Sequence, residues 1–61
     1  MTEQQTKRVK SFKRRVSVKG AVHDRVSGNV IIGWECSRDG RDMTTVIDRN
    51  GRTIITEATY R

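Results

Sequence analysis

From Phe12 onward the chain alternates. Phe12, Val16, Val18, Gly20 and Val22 fall on even positions, while Lys13, Arg15, Ser17, Lys19 and His23 fall on odd ones. Period-two alternation sends successive side chains to opposite faces of a strand, and the β-branched valines suit the pleat. A first strand is therefore predicted over 13–23. Residues 24–29 (Asp-Arg-Val-Ser-Gly-Asn) form a turn by composition. Three further apolar, β-branched runs follow and predict strands over 30–36, 43–48 and 53–60. Asp39-Gly40 and Asn50-Gly51 separate them, both of the type favoured in two-residue hairpin loops.

Such loops dictate register. Asp39-Gly40 sets Cys36 opposite Met43, Trp34 opposite Thr45 and Ile32 opposite Ile47. Asn50-Gly51 sets Ile47 opposite Ile54, Thr45 opposite Thr56 and Met43 opposite Ala58. A slip of one residue would exchange the faces, and the two loops agree on a single apolar face. Closing the first strand onto the second adds Val22 beside Ile32, Gly20 beside Trp34 and Val18 beside Cys36. On the other face it places Lys19 beside Glu35 and leaves a strip of Ile31, Val46 and Ile55. No helix is predicted to cover either face. The expected fold is all-β, a four-stranded antiparallel meander over 12–61. It buries its apolar face either by curling into a small SH3-like barrel or by pairing as a homodimer. A flexible basic N-terminal arm over 1–11 precedes it.

Charge adds an asymmetry that the hydrophobic pattern does not show. Residues 1–20 carry seven Lys or Arg against the single Glu3, whereas residues 21–61 carry six Arg against six acids, so the whole net charge of +6 lies in the first third. Segregated positive charge is the electrostatic footprint of a polyanion binder. The candidates for phosphate contacts are Lys7, Arg8 and Lys10 on the arm, and Lys13, Arg15 and Lys19 in a row along the first strand. Alternate residues on a strand stand about 6.6 Å apart. Arg49 and Arg52, on the shoulders of the Asn50-Gly51 turn, are lesser candidates, with local ion pairing to Asp48 as the competing use. The expected function is binding of nucleic acid, DNA in preference to RNA. Trp34 points with the apolar rows rather than outward as a base-stacking platform.

The alternative is a non-catalytic protein-protein interaction or inhibitor module. It would bind its partner through an exposed sheet edge or the Ile31, Val46, Ile55 strip. His23 beside Asp24 resembles the start of an acid/base pair, but neighbours on a strand face opposite ways and no nucleophile accompanies them. No enzyme activity is expected. One Cys and one His exclude a four-ligand zinc site and an internal disulfide, and no cofactor is expected. No apolar run approaches the ~20 residues of a membrane span, so no membrane contact is expected, and the lone Cys36, a liability in an oxidising compartment, points to the cytoplasm.

Overall fold

A computed structural model describes residues 1–59. One helix, α1 (Glu3–Arg15), leads directly into four strands, β1 (Ser17–His23), β2 (Val30–Glu35), β3 (Asp42–Ile47) and β4 (Thr53–Ala58). The strands form one antiparallel sheet in the order β1-β2-β3-β4, as the meander predicted. Tyr60, the last residue of the predicted fourth strand, lies outside the described residues.

The helix corrects two expectations, the flexible arm and the start of the first strand at residue 13. Thr2 and Gln5 form a capping box. The Thr2 hydroxyl accepts from the Gln5 N–H and the Gln5 side chain accepts from the Thr2 N–H. Gln5, Val9 and Phe12 then recur at helical spacing and are buried. Phe12 and Val16 stand four residues apart, which fits either period. Arg14, on an even position between them, breaks the strand pattern, and Val9 completes the helical stripe. Glu, Gln, Lys and Arg dominate the rest of α1 and are good helix formers. The helix stops at Val16, whose extended backbone (φ −137°, ψ 164°) still donates its N–H to Phe12 O.

The sheet is open, and neither a barrel nor a second copy covers its apolar face. That task falls to α1. Val9 and Phe12 pack onto Val30, Ile32 and Ile47, the three apolar side chains of the central strands that are completely buried, with Val16, Val18 and Trp34 at the margin. Each fully buried aliphatic side chain contributes about 1.5–3 kcal/mol. Among the described residues no helix is long and apolar enough to cross a membrane.

The registers were half legible. Between β3 and β4, Met43 faces Ala58 and Thr45 faces Thr56 as expected, but a bulge sets Ile47 opposite Thr53 and leaves Ile54 exposed. Between β2 and β3 the pairing slides by two residues, so that Trp34 faces Met43 and Ile32 faces Thr45. An even slip preserves the faces. The reason is loop geometry: Asp39 and Asn50 do not take the positive φ that a type I′ turn demands, and among the described residues only Gly28, Gly40 and Gly51 do. The loops are accordingly longer, closed by Gly40 N–H to Cys36 O at 2.9 Å and by Gly51 N–H to Asp48 O at 3.0 Å.

In β1 a bulge at Lys19 breaks the register between Val18 and Gly20. Beyond it the faces exchange, so Ala21 and His23 stand opposite Ile32 and Val30 while Val22 moves to the open face beside Ile31. The predicted Lys19–Glu35 pair is present at 3.9 Å, and Asp42 comes closer at 2.8 Å.

Candidate functional site

Packing one side of α1 against the sheet fixes which side faces water. Lys7, Lys10, Ser11, Arg14 and Arg15 line a shallow groove of about 280 Å³ along the helix. Their spacing follows the i, i+3, i+4, i+7 rule for one helical face. Lys10, Lys13 and Arg14 are exposed and have no acidic partner among the described residues. Glu3, the only acid on α1, lies 3.5 Å from Lys7, and both side chains are largely exposed. Such a pair neutralises little.

The structure therefore keeps some of the predicted cations together and disperses others. Lys7, Lys10, Lys13 and Arg15 share α1, so the row on the first strand does not exist in the form expected. Arg15 also lies over the Phe12 ring, its guanidinium carbon 5.3 Å from the centroid, a contact that shields the core edge as well as displaying charge. Arg8 turns inward, donating from Nη2 to Thr53 Oγ1 at 3.0 Å and packing beside Gly51. Lys19 is engaged by Asp42 and Glu35 on the open sheet face, away from the helix. Arg52 is exposed in the loop just before β4. Arg14 was missed because a strand reading turned it inward. The helix-face spacing of Lys7, Lys10, Ser11 and Arg14 was the available signal.

A second group of cations gathers at the other end of the helix. Met1, Thr2, Gln5, His23, Arg25, Gly28 and Arg49 line a cleft of about 290 Å³. Gln5, completely buried, donates from Nε2 to Gly28 O at 2.7 Å and to Asp48 O at 3.0 Å, and Thr2 Oγ1 donates to Arg49 O at 2.7 Å. These bonds tie the first and third hairpin loops to α1. The acids of those loops serve their own turns. Asp24 accepts from Ser27 Oγ and the Val26 N–H, which hold its carboxyl below the ordinary carboxylate range. Asp48 accepts from the N–H groups of Asn50 and Arg52. Local pairing with Asp48, the competing use for Arg49 and Arg52, is thus not what Asp48 does. The chain matches no protein-family model, no curated protein and no solved structure.

Proposed function

We propose that the protein binds nucleic acid without catalysis, laying the outer face of α1 against the phosphate backbone of a duplex. The observation that carries this reading is the ridge of Lys7, Lys10 and Arg14, flanked by Lys13 and Arg15, on a helix with one acid. A helix about 10–12 Å across fits the DNA major groove, about 12 Å wide. The major groove of duplex RNA is too deep and narrow to admit it, which supports DNA as the partner. Lys7, Lys10, Lys13, Arg14 and Arg15 take the phosphates. Arg8 and Lys19 act structurally, and Arg52 lies off the ridge. Contact with about five phosphates predicts a loss of affinity of about five hundredfold between 50 and 200 mM salt. Fluorescence anisotropy with a labelled duplex measures it, and a change of less than about threefold over that range rules the reading out.

A second reading concerns the open sheet face. Val22, Ile31, Val46 and Ile55 pair in sequence across all four strands, and Val22, Ile31 and Ile55 are 64%, 39% and 45% exposed. The bulge at Lys19 has lengthened the predicted strip by one residue. A second copy is the partner that fits. The row is self-complementary about a two-fold axis, and joining copies there keeps their basic helices on opposite outer sides. Sedimentation equilibrium should show a dimer that Ile31→Lys dissociates, and a monomer at millimolar concentration would exclude the contact.

A further inference from the structure

We infer that the cleft between the N-terminal end of α1 and the first and third hairpin loops is a binding site for a phosphate monoester, held by Arg25, Arg49 and His23. The site is separate from the outer face of α1. It deepens the nucleic-acid reading, on which only the oligonucleotide arm of its test rests.

Several independent features converge on it. Arg25 and Arg49 have no acidic partner among the described residues, because Asp24 and Asp48 are engaged in the turns beside them. Two cations lining one recess attract an anion placed between them more than either does alone. His23 reaches the cleft only because the Lys19 bulge exchanges the faces of β1. Arg49 lies across Gly28, and a Cβ at that glycine would sit 2.2 Å from Arg49 Nε. Gly28 is required for its φ of +80°, and a Cβ there would push the Arg49 side chain off the loop. Gln5 joins the two loops through Gly28 O and Asp48 O, so the arginines are presented on a braced frame.

The donor set selects the ligand. Each guanidinium offers a planar fork suited to two phosphate oxygens, and the imidazole adds a further donor. A monoester presents three such oxygens and a charge of about −1.5 to −2 at neutral pH, whereas a phosphodiester within a strand presents two and one negative charge. The recess is shallow and open to solvent, and its volume of about 290 Å³ leaves room for one phosphate with its sugar. The source is either the phosphorylated end of a strand or a free mononucleotide.

His23 is the only histidine of the chain, so its imidazole proton resonances report on the cleft without ambiguity. Titration with inorganic phosphate and with a nucleoside 5′-monophosphate, at ionic strength held constant with chloride, should shift them saturably. The unphosphorylated nucleoside should not. The shift should vanish in Arg25→Gln/Arg49→Gln, two exposed positions whose replacement is expected to leave Trp34 fluorescence unchanged. Absence of a saturable shift, or its persistence in the double variant, overturns the proposal. Anisotropy with oligonucleotides bearing a 5′-phosphate, a 3′-phosphate or hydroxyls at both ends then separates the sources. A strand-end ligand predicts about tenfold tighter binding of one phosphorylated form, lost in Arg25→Gln/Arg49→Gln. Equal affinities together with the His23 shift assign a free nucleotide. The titration does not involve the outer face of α1, so it succeeds or fails independently of duplex binding.

Discussion

Phe12→Ala is expected to unfold the protein at room temperature. Phe12 is about nine-tenths buried, meets the Trp34 ring at a centroid distance of 6.3 Å and packs with Val9 against the central strands. Truncating a buried phenylalanine costs about 3–5 kcal/mol. A core in a domain of this size rarely supplies more than about 3–5 kcal/mol in all, so the loss consumes most or all of it. The consequence should not remain local. A helix as short as α1 is marginal in water without tertiary packing, so it melts on undocking and uncovers Val30, Ile32 and Ile47. Trp34, the only tryptophan, should shift its emission to the red, and the cooperative urea transition should disappear. Phe12→Leu, which keeps most of the volume, should retain a transition at lower urea. A Phe12→Ala protein that melts within a few degrees of the parent would show that α1 does not hold the sheet.

Lys10→Glu/Arg14→Glu is expected to abolish duplex binding while leaving the fold intact. Both side chains are exposed and neither has a partner among the described residues, so glutamate, a good helix former, should be tolerated at both sites. A basic side chain beside a densely anionic surface is worth about 1 kcal/mol. Two attractions lost and two repulsions gained therefore amount to about 4 kcal/mol, on the order of a thousandfold in affinity. Arg38→Glu/Arg52→Glu is the informative control. It makes the same change of four charges at two exposed positions off the helix, and should weaken binding only through the long-range field. If the two proteins lose affinity equally, net charge rather than the helix face is responsible.

The part of this architecture legible in the sequence is the part governed by local chemistry. Strand alternation and three glycine-bearing turns marked the three hairpins. The expected faces survived for β2, β3 and most of β4, because the slip between β2 and β3 was even. The helix was legible too, in Thr2 and Gln5 as a capping box and in the Val9, Phe12, Val16 stripe, but a buried Gln5 does not register as hydrophobic and Phe12 and Val16 fit two periods. Of the candidate site, the concentration of charge before residue 20 was plain, while its arrangement was not. Arg14 was turned inward by a strand reading, and Lys13, Arg15 and Lys19 were aligned on a strand that begins only after the first two.

Composition and periodicity alone determined that this is a small, β-rich domain with its positive charge at one end, since propensity, turn chemistry and net charge act over a few neighbouring residues. The tertiary structure decided which cations share a face, which side of β1 carries His23, and that a helix rather than a barrel or a second copy closes the core. Those outcomes depend on a bulge at Lys19, on loops closed by positive-φ glycines and on Gln5 reaching two carbonyls far along the chain, contacts whose energies exist only once the elements have met.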